Sequence, residues 1–188
     1  MSPKRKRRRA SMEAAEPQES SWSPAEGMAQ FRQQQKIDRS FRSRYVEGLS
    51  FTPDHFQIQA MDALEAGHSV LVAAPTGAGK TVVGEFAVAL SLSTGSRAFY
   101  TTPIKALSNQ KFTDFQKRYG EARVGLLTGD TSINPDAPII VMTTEVLRNM
   151  IYAGASLSDL GVVILDEVHY LADKMRGPVW EEVIIHLP

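Results

Sequence analysis

The sequence contains no cysteine, which excludes disulfides and thiolate metal centres. Histidine is scarce: the four, His55, His68, His169 and His186, show no paired metal-ligand spacing. No apolar run comes near the roughly 20 residues a membrane-spanning helix needs. The basic N-terminus is followed by no apolar stretch, so it does not read as a secretory signal. No segment repeats another. Net charge is lacking too, since 21 basic side chains balance 21 acidic ones.

That balance hides an asymmetry. Lys4–Arg9 reads KRKRRR, and removing these six from the 21 basic residues leaves 15 against 21 acidic. The remainder is mildly acidic, so any nucleic-acid contact there must be local rather than a broad basic field. The basic run itself fits a phosphate-binding arm, a nuclear address or a solvated tail. Residues 1–45 are rich in Arg, Gln, Glu, Ser and Pro without apolar periodicity, and are expected to form a disordered basic and polar tail. Residues 46–188 are long and apolar enough for one domain with a core.

From Phe51 the pattern changes. Asp54 can cap a short helix through Gln57, Ala60, Met61 and Leu64, ended by Gly67. Val70–Ala74 is a short apolar run bounded by Pro75 and reads as a buried strand. Further strands are predicted at Ala98–Thr102, Val124–Leu127, Ile139–Thr143 and Val162–Leu165. Helices are predicted at Lys80–Leu92, Ile104–Arg118, Glu145–Tyr152 and Val179–Ile185. Alternating strands and helices predict an α/β fold: a parallel sheet covered by helices on both faces.

Ala74–Thr81 reads APTGAGKT, a phosphate-loop pattern in which Ala74 replaces the first glycine. Such a loop points backbone N–H groups inward at a triphosphate. Gly77 and Gly79 permit the unusual backbone angles, while Pro75, Thr76 and Ala78 complete the cradle. The helix opening at Lys80 aims its dipole at the same anion. Lys80 adds a charge at the β- and γ-phosphates, and Thr81 can place its hydroxyl on Mg²⁺. The loop follows a predicted strand and opens a predicted helix, which is the context the motif requires.

Val162–His169 reads VVILDEVH. Asp166 and Glu167 emerge at the carboxyl end of a buried strand, where open α/β sheets bind ligands. Asp166 would hold Mg²⁺, and Glu167 would orient and polarise an attacking water. Alone, an Asp-Glu pair after a strand reads as a solvated strand end; the phosphate loop upstream favours the catalytic reading. His169 reads either as a relay between the nucleotide and a nucleic-acid surface or as a satisfied polar residue.

At this point the residues resemble a known family. APTGAGKT, PIKALSNQK (Pro103–Lys111), LLTGD (Leu126–Asp130), TTEVLRNM (Thr143–Met150) and DEVH together resemble superfamily 2 helicases. MRGPVWEEVI (Met175–Ile184) narrows the resemblance to the Ski-like DExH helicases, which include exosome-associated RNA helicases, with the actinobacterial branch most similar. The resemblance covers roughly Phe51–Pro188. It implies a RecA-like phosphate-loop domain, ATP with Mg²⁺, and single-stranded nucleic acid, RNA by family, as partner. It also implies that Gln57 reads the adenine edge while Phe51 or Phe56 stacks on the base. Lys105, Asn109, Gln110, Thr128, Gly129, Thr144 and Arg148 would line the nucleic-acid track, holding sugar and phosphate rather than base edges. Each of these seven also reads as an ordinary loop or cap residue. Arg176, Gly177 and Trp180 would brace the segment after DEVH, with Trp180 in the core rather than stacked on a base.

The resemblance also carries expectations about the chain beyond residue 188. A Ser-Ala-Thr strand would lie between the phosphate-loop strand and the DExH strand, and a second RecA-like domain would supply an arginine finger. The chain would then be an N-terminal fragment, truncated before that strand, slow or inactive by itself. The same resemblance implies a bacterial cytoplasm, with the nucleus left open by KRKRRR. Two other functions stay open: a non-unwinding nucleic-acid-dependent ATPase or translocase, and a non-catalytic binding module.

Overall fold

The apolar runs become five strands in the computed structural model, which describes residues 27–29, 32 and 40–187. They are β1 (Arg97–Thr102), β2 (Val124–Thr128), β3 (Thr131–Ile133), β4 (Ile139–Thr143) and β5 (Leu160–Leu165). They form one sheet in the order β3-β2-β4-β1-β5. The β2–β4, β4–β1 and β1–β5 pairs are parallel. β3 runs antiparallel to β2, with Leu126 opposite Ile133 and Thr128 opposite Thr131. The sheet is mostly parallel, as expected, and mixed through the addition of β3. A two-residue connection at Gly129–Asp130 permits only an antiparallel return, and this short edge strand is too polar to register as an apolar run.

Helices cover both faces, as the apolar continuity of the central strands requires. α1 is Phe41–Glu47, α2 His55–Glu65, α3 Thr81–Ser93, α4 Lys105–Tyr119, α5 Thr144–Tyr152 and α6 Gly177–His186. On one face Val88 of α3 and Phe115 of α4 pack with Tyr100, Val124, Leu126 and Val141. On the other, Leu147 of α5 and Val183 of α6 pack with Phe99, Ile140 and Met142. Successive β1 residues thus point to opposite faces, and all five β4 residues are buried. Trp180 is 1% exposed and belongs to the core. Pro178 sits in the first turn of α6, where its missing N–H costs no helix bond.

Two expectations meet a different arrangement. Val70–Ala74 forms no strand: Leu71 and Ala73 are exposed and Val70, Val72 and Ala74 half-buried, but none joins a ladder. The alternation of a strand is present; a neighbour to pair with is not, among the described residues. β5 is an edge of the sheet, and most of its residues are only half-buried.

The expected tail also ends earlier than residue 45. The chain divides into Met1–Arg39 and Ser40–Pro188. Ser40 Oγ caps α1 by accepting from Ser43 N at 3.1 Å. Phe41 and Tyr45, one turn apart, both pack on Phe86 of α3, at 5.6 and 5.2 Å between ring centroids. Arg42 pairs with Asp62 at 2.8 Å, and the Phe41 and Arg42 amides donate to Glu65. A single pair of aromatics is too brief for a periodicity argument, but enough to dock one short helix. The KRKRRR run lies outside the described residues.

Candidate functional site

The phosphate loop occupies Pro75–Lys80, immediately before α3. Gly77 and Gly79 have φ of 83° and 76°, values open to glycine and strained for other residues. A Cβ on Gly79 would also sit 2.6 Å from Gln57 Nε2. Lys80 is half-buried and its Nζ donates to Ala74 O at 2.7 Å and Pro75 O at 2.9 Å. The ammonium thus lies within the curl of the loop, where a phosphate would compete for it.

Gln57 lies behind that loop and is 3% exposed. Its Oε1 accepts from Asp54 N at 2.8 Å, stabilising the start of α2. Its Nε2 donates to Gly79 O at 3.0 Å and Ala78 O at 3.4 Å. The side-chain amide therefore bridges the cap of α2 and the loop. Phe51 is 48% exposed and Phe56 half-buried.

α3 approaches the sheet closely at Gly84. A Cβ there would meet Ile164 at 3.4 Å and Tyr100 at 3.5 Å, so α3 lies closely over β1 and β5. Thr81 stands one turn before Gly84, and Asp166 two residues after Ile164. Asp166 N donates to Thr101 O at 3.0 Å, extending the β1–β5 pairing by one residue. The Asp166 carboxylate accepts from Glu167 N at 2.9 Å through Oδ1 and from Tyr100 Oη at 2.6 Å through Oδ2. Burial, then the adjacent carboxylate, pushes the Tyr100 phenol far up, so the hydroxyl stays protonated and donates. Glu167 is exposed, adopts a left-handed backbone at φ 58°, and lies 3.1 Å from His169 Nδ1.

These groups suit a triphosphate with a hard divalent cation: a loop whose glycines keep the backbone clear of Cβ atoms, a lysine, a hydroxyl and a carboxylate oxygen. Thr81 and Asp166 are the oxygen donors that would hold Mg²⁺.

The candidate nucleic-acid residues gather at the carboxyl ends of β1, β2 and β4. Lys105 opens α4 and pairs with Asp130 at 2.6 Å. The hydrogen bond from Lys105, and then that from Thr128, holds the Asp130 carboxyl below its ordinary value. Asn109 and Gln110 are exposed on α4, and Gly129 is exposed beside Asp130. Thr128 is mostly buried, its hydroxyl turned to Asp130 at 3.0 Å. Thr144 is 2% exposed and donates to Thr102 O at 3.3 Å, so its side chain braces the β1 end rather than facing outward. Arg148 is half-buried between Asn149, at 3.1 Å, and Glu182, at 3.8 Å. Neither α4 nor α5 has a side-chain cap at its N-terminus, which leaves first-turn amides facing this edge. Arg176 ties the segment after DEVH to the same edge, donating to Pro103 O at 3.1 Å.

Sequence reasoning missed Tyr100 and Asp130. Tyr100 reads as a core residue of a buried strand, and only strand register brings its hydroxyl to Asp166. Asp130 ends the LLTGD motif, with no role expected of it.

Residues 54–188 match the DEAD/DEAH box helicase family. The chain belongs to that family. The probable helicase HelY of Mycobacterium leprae is 65% identical over 147 residues, covering 78% of this chain and 16% of that protein. The DExH-box ATP-dependent RNA helicase DExH15 of Arabidopsis thaliana is 51% identical over 145 residues, covering 73% and 12%. The antiviral helicase SKI2 of Saccharomyces cerevisiae is 56% identical over 139 residues, covering 73% and 11%. These relatives agree with a Ski-like helicase of the DExH type. The chain spans between 11% and 16% of their lengths. The crystal structure of a hypothetical ATP-dependent RNA helicase from Sulfolobus tokodaii superposes with a TM-score of 0.59 at 21% identity, covering 77% of this chain and 46% of that one. That likeness shows the fold. No helix among the described residues is long and apolar enough to cross a membrane.

Proposed function

We propose that this chain is the ATP-binding and nucleic-acid-binding part of an ATP-dependent DExH-type RNA helicase. The observation that carries the reading is the close approach of α3 at Gly84 to Tyr100 and Ile164, where an added Cβ would touch both. It supports a site in which the phosphate loop and Thr81, at the start of α3, work with Asp166 and Glu167, at the end of β5.

In this reading the loop amides and the α3 N-terminus bind the triphosphate, and Lys80 exchanges its two carbonyl partners for phosphate oxygens. Thr81 and Asp166 would hold Mg²⁺, which would neutralise charge on the phosphate oxygens. Glu167 orients a water toward the γ-phosphorus and accepts its proton as the new P–O bond forms and the bond to the β–γ bridging oxygen breaks. His169 lies 3.1 Å from Glu167, which supports a role for it in relaying this step to the bound strand. Lys105, Gly129, Asn109 and the first-turn amides of α4 and α5 hold the backbone of a single strand, so binding is largely independent of sequence. RNA as the substrate rests on the Ski-like relatives.

A second RecA-like domain in cis completes the machine. An arginine finger is worth roughly 10³–10⁵ in rate, so this chain by itself should turn ATP over slowly and without response to RNA. That β5 is a sheet edge and that Val70–Ala74 joins no ladder support a further strand in the complete protein.

The test is Lys80→Ala in the full-length protein. ATP binding and hydrolysis should fall at least a hundredfold, with strand displacement on a substrate carrying a single-stranded overhang lost in parallel. Normal nucleotide uptake by that variant would overturn the proposal. RNA-stimulated turnover by residues 1–188 alone would overturn the need for a second domain.

A further inference from the structure

Asp166 is held at both oxygens, and one of its partners comes from a different strand. Tyr100 of β1 reaches Asp166 Oδ2 at 2.6 Å, the short distance of a charge-assisted O–H···O⁻ bond. Strand register explains why a tyrosine is needed. Tyr100 lies opposite Ile164, so Asp166 is two residues further along, about 6–7 Å at the rise of a strand. Only a para-hydroxyl on a six-membered ring spans that distance from the covered face; serine and threonine are too short, and phenylalanine has no donor.

The ring cannot swing. It packs edge-on against Phe115 at 5.2 Å and 76°. Lys111 Nζ lies 5.5 Å from its centroid. α3 covers a third side at Gly84, where an added Cβ would just touch the ring at 3.5 Å. Tyr100 is 1% exposed, so water does not compete for its hydroxyl. A buried phenol committed to one oxygen of an otherwise half-exposed carboxylate is more than core packing requires.

We propose that Tyr100 is a positioning residue for the Mg·ATP site: its hydroxyl fixes the Asp166 carboxylate so that the unused lone pairs face the metal. This rests on reading Asp166 as the carboxylate that holds Mg²⁺. Outer partners of this kind orient a metal ligand without touching the metal, and their loss typically weakens metal binding about 10–100-fold. Tyr100→Phe keeps the ring, its contact with Phe115 and the burial, and removes one oxygen.

The experiment uses the full-length protein with Mn²⁺ as the probe, read by electron paramagnetic resonance in the presence of a non-hydrolysable ATP analogue. Nucleotide affinity in EDTA and the cooperative melt are measured alongside. Tyr100→Phe should leave metal-free nucleotide affinity within about twofold of wild type and weaken Mn²⁺ about tenfold. It should raise the Mg²⁺ concentration for half-maximal hydrolysis by a similar factor, with kcat largely restored at saturating Mg²⁺. Phe115→Leu loosens the same ring cluster but keeps the hydroxyl, and should weaken Mn²⁺ much less than Tyr100→Phe does. Wild-type Mn²⁺ affinity in Tyr100→Phe would overturn the proposal, as would an equal loss in Phe115→Leu. A Tyr100→Phe protein that no longer melts cooperatively would overturn it too, since the hydroxyl would then hold the fold. If the wild type takes up no Mn²⁺ with nucleotide, the reading of Asp166 itself fails; if only the variants contradict expectation, that reading stands and the tyrosine's role falls.

Discussion

Replacing Gln57 by alanine separates two roles for one side chain. The family resemblance assigns Gln57 to the adenine edge, yet both ends of its amide are engaged inside the protein, with Asp54 N at 2.8 Å and Gly79 O at 3.0 Å. Gln57→Ala removes two good hydrogen bonds worth about 1 kcal/mol each. It also leaves space behind the loop where a 3%-exposed side chain had been. The combined loss is about 2–4 kcal/mol, which for a domain of this size lowers the melting temperature by roughly 5–15 °C. If the amide serves to hold the phosphate loop, affinities for ATP and GTP should fall by the same factor. The assay is displacement of a fluorescent nucleotide by each, beside a thermal melt. A variant that loses ATP affinity while keeping GTP affinity would refute the reasoning, because discrimination would then reside in the amide. A melt within about 1–2 °C of wild type, outside the shift expected from the lost bonds, would refute the energetics.

Trp180→Ala should destabilise the domain by about 3–5 kcal/mol, read by chemical denaturation, whereas Trp180→Phe should cost much less and leave RNA affinity unchanged. Asp173 accepts from the amides of Arg176 and then Met175 ahead of α6, which holds its carboxyl below the ordinary value of 3.8. Its contribution to stability is therefore complete above that value and is lost as pH falls below it, through the depressed folded value. Asp173→Asn should lower stability near pH 7, where that contribution is present, and converge with the wild type at low pH, giving a flatter acid limb in urea melts across pH.

The parts of this domain legible in the sequence were those with local causes. Ile139–Thr143 is a strand at the expected bounds, because five apolar or β-branched residues in a row suit a strand buried on both faces. α4 runs Lys105–Tyr119, one residue later than expected at each end; Pro103 keeps the preceding residue out of helical geometry, and Gly120 with φ 89° ends it. The phosphate loop was legible because glycine spacing and the following helix are encoded together. What could not be read depended on partners distant in the chain. Val70–Ala74 has a strand's alternation, but a ladder needs a neighbour. Thr144 looked like a surface residue of a motif until the pairing of Thr102 with Thr143 turned its hydroxyl inward. Tyr100 could be assigned to a core, but its reach to Asp166 exists only once β1 and β5 are aligned.

The docking of α1 bears on how this domain can be handled. The family match starts at residue 54, and a protein trimmed there for expression would lose Phe41 and Tyr45 from the face of Phe86, which is fully buried beneath them. Its ring would open to solvent within a few residues of the phosphate loop, offering a sticky surface close to the nucleotide. Trimming at Ser40 instead should give the better-behaved sample in solution.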